Sequence, residues 1–453
     1  MSDQPAAAAA ESEPTNDEHT QTPVMEKDTG VILGFAERLI EDPAEAVTSA
    51  TVIEEDDEEE SEERSGEVSH FLFHEVLGSQ IGGKPFWLNP CTLPAPARVA
   101  CPQCSLPMPL LLQLYAPLEQ YERAYHRMIY VFCCPNGACH LVKKRTGCFK
   151  VLRCQLPKEN EIYPSDFVSV DATDEELDAV HERRSILSAK TCQVCGHLGS
   201  SRCARCKLVS YCCREHQKLD WANHKLSCVP PSAEDDSSSS KADRLSIADQ
   251  VQLLRSRAAE STLFPFFELV TEPERLVSSV SKLDAKTAKL LHEYTKSDNQ
   301  NITEDELKDL PLPDCDPQWL RFQKRVRNSN GPDQVLRYGE SSPLWISEAQ
   351  RPGAEHIRPC TQCGAPRRFE FQIMPQLLFY LQRKDVPLRS PEEVHSELDW
   401  GTLAVYTCSE SCDATMCIRA SSDPESSSLA SKEVAVECHT YVEEQLWRQD
   451  PHC

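Results

Sequence analysis

The apolar positions that read most clearly along this chain are short runs that end in cysteine. Ile129-Tyr130-Val131-Phe132 runs into Cys134 and Cys139, and Leu403-Ala404-Val405-Tyr406 runs into Cys408 and Cys412. β-Branched and aromatic runs of this length predict strands. Further strands are expected at Phe149 to Leu156 and Glu443 to Gln449, and a long apolar segment follows each of Cys101-Pro-Gln-Cys104 and Cys360-Thr-Gln-Cys363. Helical spacing is rarer. Tyr211 to Asp220 reads as a helix, and Leu245, Ile247, Val251 and Leu254 place a short amphipathic helix within 241–260. Residues 271–310 are charged and poorly periodic and read as a mobile insert, and Ser/Asp/Glu-rich 421–431 as a loop.

The runs fall into two similar sets. Trp87 precedes Cys101 by 14 residues and Trp345 precedes Cys360 by 15. In each set a Cys-x-x-Cys turn, a proline, an apolar segment, a strand and a second pair of cysteines follow in the same order. Each set therefore reads as a zinc-ribbon-like unit, in which one knuckle holds a β-hairpin and a second supplies the last two thiolates. The candidate ligands are Cys101, Cys104, Cys134 and Cys139 in one unit and Cys360, Cys363, Cys408 and Cys412 in the other. Cys133 could replace Cys134, but the register against Thr407-Cys408 favours Cys134, and strand neighbours face opposite ways. The expected fold is α+β and β-rich: two zinc-ribbon-like β halves related by an internal repeat, with a small finger inserted between them.

Composition adds a tail and removes some classes. The 453 residues carry 23 Cys and a net charge of -25, a length suited to two or three domains. Residues 1–70 hold 21 Asp and Glu against 3 Lys and Arg, so -18 of the -25 lies there and -7 in residues 71–453. Nine of the ten residues Glu54 to Glu63 are acidic, so 1–70 is expected to be a mostly disordered acidic tail. The remaining boundaries are a half at 71–156, a linker at 157–189, the finger at 190–230, a linker with a short helix at 231–260 and a second half at 261–453. Leu106 to Leu118 is short and broken by three prolines, so no membrane span is expected. No basic segment precedes an apolar one near Met1, so neither is a signal peptide.

Between the halves, 192–228 offers Cys192, Cys195, Cys203, Cys206, Cys212, His216, His224 and Cys228, eight ligands in 37 residues and enough for two closed zinc sites. Cys212 and His216, like His224 and Cys228, stand four apart, as on one helix face. Cys213 is left as a spare thiol and His197 as a loop residue. The segment resembles the MYND zinc finger, with its paired cysteines, Tyr-Cys step, Trp and terminal His-x-x-x-Cys. That resemblance implies interleaved sites, Cys192, Cys195, Cys212 and His216 in one and Cys203, Cys206, His224 and Cys228 in the other. Two Zn²⁺ are then expected in the finger and two more in the halves, none with a position open for catalysis. Residues 190–228 carry seven Lys and Arg against two acids, and a MYND-like surface implies a peptide partner.

The resemblance extends further. VILGFAE at 31–37, QIGGKPFWL at 80–88, HRMIYVFCCPNGAC at 126–139, FPFFELV at 264–270, PDQVLRY at 332–338 and YVEEQLWRQ at 441–449 are similar to the programmed cell death protein 2 family. Phe266 where an acid is common, Ile346 in place of Val and the acidic insert before His70 depart from it. The resemblance implies an adaptor or dedicated chaperone, not an enzyme, for ribosomal protein S2 of the 40S subunit, in cytoplasm and nucleus and linked to proliferation and cell death. An acidic tail suits so basic a client, and exposed strand edges of the halves would take it by strand addition.

Other classes are weaker. Asn223-His224 is superficially similar to a SET methyltransferase motif, but zinc claims His224. Gly82-Gly83-Lys84 is followed by Pro85 where a P-loop needs Ser or Thr. A nuclear DNA-binding or transcription-associated regulator acting through the finger is the alternative, supported by Lys143-Lys144-Arg145 and by Arg321 to Arg327. The acidic total and the lack of an Arg-rich recognition helix disfavour DNA.

Overall fold

The computed structural model describes residues 27–38, 77–141, 145–165, 172–230, 262–276, 317–327, 329–381, 398–413 and 440–451. Ten strands form one closed antiparallel barrel: β1 (Lys27–Glu37), β2 (Gln80–Ile81), β3 (Leu110–Tyr115), β4 (His126–Cys133), β5 (Phe149–Leu156), β8 (Phe267–Leu276), β9 (Leu336–Tyr338), β10 (Arg367–Ile373), β11 (Thr402–Cys408) and β12 (Tyr441–Gln449). The order around the barrel is β1-β8-β2-β3-β4-β5-β12-β11-β10-β9, closing on β1. β6 (Ser201–Arg202) and β7 (Ser210–Tyr211) form a separate hairpin in the finger.

Both sets of runs thus feed one barrel, where two separate units were expected. Strands from the two parts of the chain meet at β5 with β12, where Cys154 lies opposite Tyr441, at β2 with β8, where Gln80 lies opposite Glu268, and along β1, where Phe35 lies opposite Val270 of β8 and Ile32 opposite Tyr338 of β9. Closure gives every barrel strand a neighbour on both sides, although β2 pairs with only Phe267 and Glu268 of β8, so the long open edges expected of two separate halves are reduced to short gaps among the described residues.

Alternation along the strands separates two environments. Ile129, Val131 and Cys133 of β4 meet Leu336, Phe371, Val405 and Leu446 in a shared interior. Met128, Tyr130 and Phe132 point the other way, into an outer layer with Trp87, Leu152, Cys154 and Tyr441. Each such side chain, fully buried, contributes about 1.5–3 kcal/mol. Charge is also buried: Arg127, on the interior face of β4, donates to Glu370 at 2.8 and 3.0 Å and to Thr407 at 3.3 Å.

Three segments differ from expectation. The acidic stretch 1–70 contains β1, whose Val31 and Leu33 are buried, because local apolar alternation outweighs the charge around it. The linker 157–189 contains helix α1 (Asp174–Leu187), opened by a capping box between Thr173 and Glu176. The charged insert 271–310 begins as the end of β8, with Glu274 paired to the buried Arg337 at 2.9 Å. The helix expected within 241–260, the acidic run 54–63, residues 277–310 and the loop 421–431 lie outside the described residues. Among the described residues no helix is long and apolar enough to cross a membrane.

β2 leaves the barrel through Gly82 and Gly83. Gly82 sits at φ +61°, and a Cβ there would fall 2.1 Å from the Pro265 carbonyl oxygen. The glycine pair lets two backbones touch, and carries the chain to Lys84 and Trp87, which meet the finger.

Candidate metal centres

All four Cys-x-x-Cys knuckles use one backbone device. The fourth residue after the first cysteine donates its N–H back to that cysteine's carbonyl: Ser105 to Cys101 at 2.8 Å, Gly196 to Cys192 at 2.9 Å, Lys207 to Cys203 at 3.0 Å and Gly364 to Cys360 at 3.0 Å. Each of these four residues has positive φ, between 58° and 74°. The turn leaves both sulfurs on one side, as chelation requires.

The sixteen expected ligands gather into four groups of four, within which all ligand atoms lie within 4.8 Å of one another. Sulfur separations include 3.8 Å for Cys104 to Cys134, 3.5 Å for Cys195 to Cys212, 3.7 Å for Cys203 to Cys228, 3.6 Å for Cys360 to Cys412 and 3.5 Å for Cys363 to Cys408. A tetrahedral zinc with Zn–S of about 2.3 Å sets sulfurs about 3.8 Å apart. Spacing and donor chemistry both fit that ion.

Cys134 and not Cys133 belongs to the first group. Cys133 occupies the barrel interior, where burial pushes its thiol well up. Cys139 lies on the one-turn helix Gly137–His140, capped by Asn136. Cys148 stands behind it, its thiol donating to the Cys139 carbonyl at 3.1 Å. In the last group, bonds from Cys360 and Cys412 bring the Cys408 thiol down to about 3, while bonds from Cys360 and Cys408 push Cys412 up.

In the finger, helix α2 (Arg214–Ser227) starts later than its sequence suggests. Cys212 precedes it, and Cys213 is its N-cap in extended backbone, with a sulfur that accepts the His216 N–H at 3.5 Å. Cys213, left as spare, is thus the cap. His216, Asp220 and His224 stand four apart on the buried face of α2, one imidazole in each group. Asp220 lies between them and accepts from the Tyr211 hydroxyl at 2.8 Å. Cys192 and Cys212 stand 3.6 and 3.2 Å from His216 Nδ1, and Cys206 stands 3.5 Å from His224 Nε2.

The finger is attached to the barrel through its first group. Trp87 Nε1 donates to the Gly196 carbonyl at 2.7 Å, Lys84 Nζ to that of Gln193 at 2.6 Å, and His197 Nε2 to that of Met108 at 2.9 Å. His197 is a loop residue as expected, but it is fully buried against Trp87 and Phe132, and burial lowers it to about 4, so it is neutral. Burial also lowers Lys84, against the opposing pull of Cys192, Cys195 and Asp220. Spacing pointed to Trp87 but not to its role, and gave no sign of Lys84 or His197. The outer face of the finger is different: Leu208, Trp221, Leu226 and Val229 are exposed.

Comparison with known proteins bears on the whole chain. Residues 61–169 match a family model described as programmed cell death protein 2, N-terminal domain, residues 316–450 one described as programmed cell death protein 2, C-terminal putative domain, and residues 192–228 the MYND finger. The programmed cell death protein 2 of Bos taurus is 35% identical over 75% of this chain and 88% of its own, and that of Mus musculus 34% over 84% and 92%. Probable 20S rRNA accumulation protein 4 of Schizosaccharomyces pombe is 23% identical over 78% of this chain and 90% of its own. No solved structure gives a significant match.

Proposed function

This chain belongs to the programmed cell death protein 2 family, and on that premise we propose that it is a zinc-binding adaptor and dedicated chaperone of ribosomal protein S2 in small-subunit assembly. The observation that carries the reading is the match to a relative named for 20S rRNA accumulation, over 90% of that relative's length. In this reading each of the four groups holds one Zn²⁺ with all four positions filled by protein, which makes the metal structural and assigns no catalysis to these sites. The acidic residues of 1–70 steer a basic client electrostatically, and the exposed apolar face of the finger takes a second, peptide partner. The protein works in cytoplasm and nucleus.

The internal repeat fits the same picture. β2-β3-β4-β5 and β9-β10-β11-β12 run in matching order to the β5–β12 seam. Gln113 accepts the Phe86 N–H at 2.9 Å just as Gln372 accepts that of Leu344 at 2.5 Å, each beside its tryptophan. Two zinc-ribbon-like halves sharing one barrel account for these pairs.

The test is co-expression of the full chain with ribosomal protein S2, read by size-exclusion chromatography with light scattering. A stable complex that keeps S2 soluble is expected and weakens as salt rises. Absence of that complex, with tight salt-dependent binding to duplex DNA instead, overturns the reading in favour of a nuclear regulator.

A further inference from the structure

The group Cys360, Cys363, Cys408 and Cys412 carries an excess of negative charge when filled: four thiolates around a divalent ion sum to a formal charge of about -2. Three of the four residues are buried. Such a charge needs a partner, because burial of an unbalanced ion is costly. Two arginines flank the site around the Glu444 carboxylate, Arg367 from the same half and Arg153 from the other half of the chain, and of the two Arg153 is the one that reaches a ligand. Arg153 of β5 is 1% exposed, and its guanidinium donates to the Cys412 carbonyl at 2.9 Å and faces the Cys412 sulfur at 3.6 Å. Its Nε donates to Glu444 at 2.7 Å. The other oxygen of Glu444 accepts the Cys408 N–H at 3.2 Å and Arg367 Nε at 2.8 Å. Two ligands of the site, Cys408 and Cys412, are therefore joined through one carboxylate and one arginine across the β5–β12 seam. Arg123 and Gln155 add donors to the Ser411 carbonyl, at 3.2 and 3.0 Å, from the same side.

We propose that Arg153 is the positioning residue of the carboxy-terminal zinc site, so that this site holds its metal at full strength only when the amino-terminal half has closed the barrel against it. The inference rests on the zinc reading above. The metal in turn holds the seam, since Cys412 is fixed both to the ion and to β5. Partners that hydrogen-bond a metal ligand typically change affinity about 10–100-fold when removed.

The full chain loaded with ¹¹³Cd tests this by NMR, where the two all-sulfur sites resonate apart from the two that include histidine. Cys363→His moves the carboxy-terminal site out of the all-sulfur pair and so assigns it. In Arg153→Met that one resonance is expected to shift, and its metal to pass to a chelator about tenfold or more sooner, with the other three unchanged. Arg153→Lys, which keeps charge but loses the fork, falls between. Should Arg153→Met not fold, Arg153→Gln keeps a polar side chain without the fork and is expected to move the same resonance. An unmoved resonance, or equal release from all four sites, overturns the proposal. A wild-type chain that never fills the carboxy-terminal site overturns the zinc reading with it.

Discussion

Replacing Trp87 by phenylalanine isolates one bond between the finger and the barrel. The indole is 3% exposed; it lies tilted against Tyr130 at 5.1 Å, meets Tyr441 edge-on at 5.2 Å and stacks on Phe132 at 5.9 Å. Phenylalanine keeps most of that packing and removes the Nε1–H that serves the Gly196 carbonyl. A buried acceptor left unserved costs about 1–3 kcal/mol, which is about 5–150-fold in a local opening equilibrium. Lys84 and His197 still hold the finger, so it loosens without leaving. Hydrogen exchange reads this residue by residue. The Gly196 amide, bonded to Cys192, is expected to lose about 5–150-fold in protection, while the Lys207 amide in the second knuckle is unchanged. Unchanged exchange at Gly196, or equal loss at both amides, would show that the first knuckle does not depend on the barrel. Trp87→Ala goes further, costing about 3–5 kcal/mol.

Arg127→Met strands the Glu370 carboxylate inside the barrel and is expected to cost about 3–5 kcal/mol in urea denaturation, most of it recovered in Arg127→Met/Glu370→Leu; a loss near zero would mean that this end of the barrel is wet. His126, 1% exposed and bonded to the Tyr115 hydroxyl at 3.0 Å, is lowered by burial from 6.5 to about 4. The unfolded chain therefore takes the proton first. The contribution is whole above pH 6.5 and is lost as pH falls toward 4, at about 1.4 kcal/mol per unit. His126→Gln is expected to flatten that slope in paired melts, and an equal slope in both proteins would refute the burial argument. Ser105 and Lys207 hold left-handed backbone that glycine adopts freely, so Ser105→Gly and Lys207→Gly are each expected to gain up to about 1 kcal/mol in thermal unfolding if the turn is strained; destabilisation would show that the side chain compensates.

What the sequence made legible was local. The sixteen candidate ligands, the β4 and β11 runs and the choice of Cys134 over Cys133 follow from spacing and pleat, which short-range geometry controls, while the interleaving of the finger's two groups came from the resemblance. Closure was not legible, because β2 and β9 are two and three residues long and carry no period of their own. β1 was obscured by the charge around it, and β8 by Glu268, Glu272 and Glu274 within it. The capping box at Thr173 and Glu176 was readable but fell inside a stretch taken as linker. The start of α2 was misplaced because Cys213 caps a helix with its sulfur, a role usually held by Ser, Thr, Asp or Asn. Arg153 could not have been found at all: nothing near it in sequence is metal-binding, and its partners lie across the seam.

The barrel's seams also set an order of events in time. Cys154 waits for Tyr441 and Lys27 for Leu276, so strands made early must stay unpaired on one side until much later ones emerge from the ribosome. Pairings so distant in sequence form slowly, and exposed apolar strands are prone to aggregate meanwhile. The group Cys101, Cys104, Cys134 and Cys139 lies wholly within the early part of the chain, so a metal ion held there would give the nascent amino-terminal strands a fixed shape before their partners exist.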